Sequence, residues 1–267
     1  MHLLVSVAGP TEARAALRGG ADVIDAKDPR RGALGPVPRR RLAAIAATVG
    51  AACPLSAALG DAAGERAIAR AASLAARAGV AFTKIGFAGV ASEARAQALA
   101  RAARHGVDDR PGAALVLVAY ADWRRAGSLA PARVVAVAAA VGAAGVLLDT
   151  AGKTIPLFGL QSRDLVGAWV VAAHAAGLFA ALAGGLSDAD FPTVRVLGAD
   201  LVGVRGAACV GGRTGRIAAD RVAALRALTG APARVAVRRA VLPQRDVQLS
   251  QVFGGDDEVL DTLGERA

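Results

Sequence analysis

Lys27, Lys84 and Lys153 are the three lysines among 32 basic residues; arginine makes up the rest. An excess of alanine, glycine and arginine is what a GC-rich coding sequence produces. Such drift converts lysine to arginine wherever either cation serves. The lysines that survive it mark positions where a guanidinium cannot do the work. The difference is proton lability: arginine stays protonated in proteins, whereas a lysine amine can lose its proton and attack a carbonyl. Chance survival would instead scatter the three over helix surfaces.

Carboxylates accompany the amines. Asp25 and Lys27 are two residues apart, so on an extended strand they face the same way. Asp149 closes the otherwise apolar run GVLLD, and Lys153 follows four residues later. A charge ending such a run must face a polar mouth or be paired. Crowded ammonium groups depress one another's pKa, which frees one amine to act as a nucleophile while nearby carboxylates move protons. The bland alternative is that each Asp–Lys pair is only an ion pair at a loop mouth.

The elements that must hold these residues are legible as alternating apolar and amphipathic runs. Strand-like segments begin at Leu3 (LLVSV), Asp22 (DVIDA), Pro54 (PLSAAL) and Ala81 (AFTKIGF), and continue at Leu115 (LVLVAY), Gly145 (GVLLD), Leu178 (LFAALA) and Leu201 (LVGVR). Segments of helical period lie between them, such as Glu65 to Ala78 and Ser92 to His105, with glycines at 79, 106 and 177 reading as helix ends. Eight nearly continuous apolar strands, each followed by a helix, predict an α/β fold with a parallel sheet closed as a single (β/α)8 TIM barrel. Asp220 to Leu228 is the expected closing helix. The barrel occupies residues 1–230. Residues 231–267 form an extension it does not need, for which packing beneath the barrel, a role in assembly and partial disorder all remain open.

Active sites of such barrels lie at the C-terminal ends of the strands. Lys27 follows the second strand, Lys84 lies toward the end of the fourth and Lys153 follows the sixth, so all three fall on that rim. The loops after strands seven and eight carry Gly184 and Gly185, then Arg205, Gly206 and Ala207. In these barrels that position binds phosphate through backbone N–H groups, and an arginine could add a bidentate grip. Tyr120 and Asp122 lie on the same rim with no assigned role. His2, His105 and His174 lack any metal-ligand spacing and read as structural, as do Trp123 and Trp169.

The formal charge of +10 attracts anionic substrates. Aromatics are only 3% of the chain, which leaves no base-stacking platform, so specific nucleic-acid binding is not expected. Leu165 to Ser187 is uncharged and long enough to span a bilayer, but Gly177 divides it and Gly184–Gly185 ends it; a buried helix followed by a buried strand is the expected reading. Two cysteines and no signal segment fit a cytoplasmic protein. No metal or cofactor is called for; a small phosphorylated substrate and homo-oligomeric assembly are expected.

The segments GGADVIDAKDPRRGALG (19–35), FTKIGFAGV (82–90), LLDTAGK (147–153), ALAGGL (181–186) and DLVGVRGAAC (200–209), with LLVSV near the start, resemble the (5-formylfuran-3-yl)methyl phosphate synthases. These are also described as 4-(hydroxymethyl)-2-furancarboxaldehyde-phosphate synthases, of methanofuran biosynthesis. The resemblance covers about the first 230 residues. It implies a Schiff-base lyase that joins two molecules of glyceraldehyde 3-phosphate to a furan aldehyde phosphate, with loss of phosphate and water. It places the imine-forming lysine on Lys27, the proton acceptor on Lys84, and the remaining site residues on Asp25, Asp149 and Lys153. Two other readings remain open from the residues themselves: an aldolase-type lyase acting on another phosphorylated carbonyl compound, and a non-catalytic barrel that binds phosphometabolites.

Overall fold

A computed structural model describes residues 1–230 apart from 62, 63, 109 and 111; the extension from 231 to 267 lies outside the described residues. Eight parallel strands close into a barrel in chain order: β1 (His2–Val7), β2 (Val23–Ala26), β3 (Leu55–Gly60), β4 (Phe82–Gly86), β5 (Ala114–Tyr120), β6 (Gly145–Asp149), β7 (Phe179–Leu182) and β8 (Leu201–Val204), the last pairing with β1. The connecting helices are α1 (Pro10–Arg18), α2 (Arg39–Val49), α3 (Glu65–Arg77), α4 (Glu93–Asp108), the short α5 (Trp123–Ala126) with α6 (Pro131–Ala140), the short α7 (Leu157–Leu160) with α8 (Arg163–Ala175), and α9 (Phe191–Val196). A small hairpin, β9 (Cys209–Val210) and β10 (Arg216–Ile217), precedes the closing helix α10 (Ala219–Leu228).

Strand alternation divides the core in two. Leu4, Val23, Ala58, Val116, Val118, Leu147, Ala181 and Leu201 pack with one another inside the barrel. Their neighbours one position along, such as Leu3, Val5, Ile24, Leu117 and Val146, join the layer between barrel and helices. The helices answer with apolar stripes at helical spacing; on α3 the buried positions are Ile68, Ala72, Ala75 and Ala76.

The expected strands and helices are all present, with edges shifted by up to three residues. Asp22, for instance, precedes β2 because its carboxylate accepts a hydrogen bond from Leu3 N (2.8 Å) and pairs with Arg226 of α10 (3.0 Å). Gly79 and Gly177 end their helices with positive φ, +81° and +73°. Gly106 does not: α4 runs through it to Asp108, and a Cβ there would lie 2.2 Å from Ala69 O. Close approach of α4 to α3 requires this glycine, which serves packing and does not cap the helix. The uncharged stretch from Leu165 is α8 beyond its first two residues, followed by β7, and among the described residues no helix is long and apolar enough to cross a membrane. Trp169 is buried with its indole N–H on Pro131 O (3.2 Å), and His174 bonds Asp200 (2.8 Å), both in structural roles.

Candidate active site

The inward-facing positions change character toward the C-terminal ends of the strands. Above the apolar interior lie Ser6, Asp25, Ser56, Lys84 and Asp149, all buried, with Lys27 beside them. The ladder register brings them together: Asp25 pairs with Ser6 on one side and Ser56 on the other, Lys84 lies between Ala58 and Val116, and Asp149 pairs with Tyr120. Lys27 has just left β2, yet its N–H still bonds Val7 O (3.0 Å), so the barrel itself fixes the start of its side chain.

Three amines share two carboxylates. Lys84 Nζ is 2.7 Å from Asp25 Oδ1, while Ser6 Oγ donates to Asp25 Oδ2 at 2.9 Å. Lys153 Nζ donates to Asp149 Oδ1 (2.8 Å) and to the Thr150 carbonyl, and Thr150 N donates to the same Asp149 oxygen (2.7 Å). Lys27 Nζ is more loosely held, 3.9 Å from Asp149 Oδ2. That Asp149 oxygen is buried and has no hydrogen-bond partner among the described residues.

The energetics follow from this crowding. Burial pushes the Asp149 carboxyl up, but Lys153 and then Lys27 more than reverse it, leaving it at about 2. Asp25 is likewise raised by burial and brought below its ordinary value by Lys84 and Lys27. Burial pushes the Lys84 ammonium down; Asp25 offsets part of this, and Lys27 adds to it. Lys153 is lowered by burial in the same way, against the pull of Asp149. The two carboxylates are therefore held ionised, and Lys84 and Lys153 are biased toward the neutral amine.

The glycine loops close the same end. Gly184 (φ +100°) leaves so little room that a Cβ would lie 2.8 Å from Thr150 Cγ2 and 3.4 Å from Asp149 Oδ1. Gly185 follows with φ +71°, and Gly206 and Ala207 begin a single helical turn after β8. Arg205 is occupied differently from the expected phosphate grip. Its guanidinium forms a bidentate pair with Glu12 (2.9 and 3.1 Å) and donates to the carbonyls of Ser6, Arg213 and Gly215. Those contacts engage every N–H face of the fork, so Arg205 braces the β8 loop from within.

Three further residues belong to the site's surroundings and were not assigned from sequence. Arg213, in the β9–β10 hairpin, reaches the carbonyls of Pro29 (2.5 Å) and Gly32 (2.9 Å), in the loop that follows Lys27. That loop folds Leu34 into the interior cluster. Asp122 accepts from Ala151 N and Gly152 N (both 2.7 Å) and so shapes the approach to Lys153. Asp61, after β3, accepts from Tyr120 Oη at 2.6 Å. Its position just past a strand end was the available signal, but nothing in its spacing tied it to Tyr120.

Comparison with known proteins agrees with this architecture. Residues 3–226 match the family model described as 4-HFC-P synthase. A (5-formylfuran-3-yl)methyl phosphate synthase of Methanocaldococcus jannaschii is 38% identical, with 85% of this chain and 99% of that protein aligned. One of Methanopyrus kandleri is 40% identical over 80% of this chain and 92% of its own length. Among solved structures, a 3-hexulose-6-phosphate synthase superposes with a TM-score of 0.56 at 20% identity, covering 85% of this chain and 99% of that one, a likeness of fold alone.

Proposed function

Since the chain belongs to the 4-HFC-P synthase family, we propose that it condenses two molecules of glyceraldehyde 3-phosphate to (5-formylfuran-3-yl)methyl phosphate, releasing one phosphate and two waters, in methanofuran-type cofactor biosynthesis. The observation that carries this reading is the buried cluster of three amines and two carboxylates at one barrel mouth. Lys27 is the nucleophile. Lys84 and Lys153 are each engaged at hydrogen-bonding distance by a carboxylate, whereas Lys27 is 3.9 Å from its own and is the amine least committed to a partner.

In the first step Lys27 Nζ adds to the carbonyl of one triose phosphate and water leaves, giving a protonated imine. The imine draws electrons from the adjacent C–H bond, and Lys84, backed by Asp25, accepts the proton. The enamine carbon then attacks the aldehyde of the second triose phosphate. Elimination of phosphate, ring closure and loss of two waters from the carbon skeleton complete the furan, and hydrolysis of the imine, which takes back the water lost in forming it, frees Lys27. Lys153, tied to Asp149, holds a substrate oxygen or phosphate. The N–H groups of Gly184, Gly185, Gly206 and Ala207 line the phosphate seat, with Arg205 as its internal brace.

Incubation of the purified protein with glyceraldehyde 3-phosphate should yield a furan absorbance together with free phosphate, and mass spectrometry should identify the product. Borohydride should trap the triose on Lys27. A different phosphorylated product would favour an aldolase-type reaction, and trapping that persists in Lys27→Arg would remove Lys27 from the nucleophile's role.

A further inference from the structure

Beside the lysine cluster is a carboxyl that the scheme above leaves unused. The register of β3 and β4 slips between Ala58 and Gly60, and Gly60 turns with φ +98°, so the chain leaving β3 swings Asp61 over the end of β4. There its Oδ1 accepts from Tyr120 Oη (2.6 Å) and from Ala88 N (3.1 Å). Tyr120 is itself buried and sits opposite Asp149 in the β5–β6 ladder. Gly86, two residues beyond Lys84, makes the arrangement possible: a Cβ there would lie 2.3 Å from Asp61 Oδ1 and 2.6 Å from Tyr120 Oη. The backbone is thus shaped to admit the pair at the reacting end of the barrel.

We propose that Asp61 is the general acid that protonates a departing hydroxyl during dehydration to the furan, with Tyr120 as its positioning residue. This rests on the synthase reading above. Two waters must leave, and each departing hydroxyl needs a proton. Lys84 can return the one it took from carbon, which serves one departure. Asp25 and Asp149 are held as carboxylates by their lysines, so neither can supply the other.

Asp61 is in the opposite situation. Burial is the largest influence on it and raises its pKa; Asp149 raises it further, whereas the bonds from Tyr120 and Ala88 and the charge of Lys153 act downward without cancelling the rise. In the assigned step a C–H proton leaves the substrate to a base and a C–C double bond forms. The C–O bond breaks with its electron pair on oxygen, and the Asp61 carboxyl proton completes the water. Solvent then reprotonates Asp61.

Asp61→Asn should lower furan formation by about 100-fold or more, leave borohydride trapping at Lys27 intact, and accumulate a six-carbon species one water heavier than the product. Tyr120→Phe removes a bond that favours the carboxylate form. It should therefore raise the pKa of Asp61 and move the alkaline limb of the kcat profile to higher pH, a change that loss of packing would not produce. Circular dichroism checks the fold of both variants, and Tyr120→Phe decides the matter should Asp61→Asn not fold. Furan formation by Asp61→Asn within about threefold of the parent, or a slower Tyr120→Phe with an unmoved alkaline limb, overturns the acid role and leaves the synthase reading standing. Absence of furan from the unaltered protein overturns the synthase reading first, and this proposal with it.

Discussion

Lys84 Nζ and Asp25 Oδ1 lie 2.7 Å apart in a part of the barrel where both side chains are almost wholly removed from solvent. The contact is close but off the hydrogen-bond direction, so its strength is mainly charge against charge. Such a pair gains its attraction only after both ions have lost their hydration, and removing one partner leaves the other stranded. The cluster therefore links chemistry to stability.

Asp25→Asn should destabilise the protein by about 3 kcal/mol, less whatever Lys84 recovers by giving up its proton. Urea unfolding measures it. The double variant Asp25→Asn/Lys84→Met should be more stable than Asp25→Asn alone, since no buried charge is then orphaned. A double variant as unstable as the summed single losses would show that the two residues do not act as a pair.

Stability should depend on pH at both ends of the scale. Asp149 is depressed from the ordinary 3.8 to about 2, and Asp25 is lowered too. Their contribution is fully present above the unfolded carboxylate value of 3.8 and is lost as pH falls from there through about 2. Lys84 and Lys153 lie below the ordinary 10.5, so the unfolded chain binds more protons than the folded one on the alkaline side. That part of the stability rises with pH toward 10.5. Thermal midpoints measured across pH should show both slopes, and Asp149→Asn should flatten the acid one.

The Arg205–Glu12 pair should behave as scaffold. Arg205→Ala and Glu12→Ala should each cost about 3 kcal/mol, measured by denaturant unfolding, with the double variant little worse than either single one. Should Arg205→Ala raise the KM for glyceraldehyde 3-phosphate steeply while leaving the unfolding midpoint unchanged, the arginine would be a substrate ligand instead.

Arg213 ties the β9–β10 hairpin to the loop carrying Pro29 and Gly32, and so governs how the segment after Lys27 sits across the mouth. Arg213→Gln removes that fork. It should lower kcat by about 10- to 100-fold through misplacement of the nucleophile, with a smaller change in thermal midpoint. Lys cannot replace the two-carbonyl fork, so Arg213→Lys should rescue little. Steady-state kinetics of the two variants tests both statements.

The sequence by itself determined the barrel, because eight apolar runs separated by amphipathic ones can bury both faces of a parallel sheet in few ways. It also placed Asp25, Lys27, Lys84, Asp149 and Lys153 at one end, since strand alternation and chain direction are local properties. What tertiary structure alone decided was who partners whom. Lys84 and not Lys27 takes Asp25, Lys27 shares Asp149 with Lys153, Arg205 turns inward to Glu12, and Asp61 meets Tyr120. Gly106 likewise faces α3 and does not cap α4. Each of these depends on how barrel closure and loop paths bring distant segments within a few ångströms, and residue spacing along the chain carries no record of that distance.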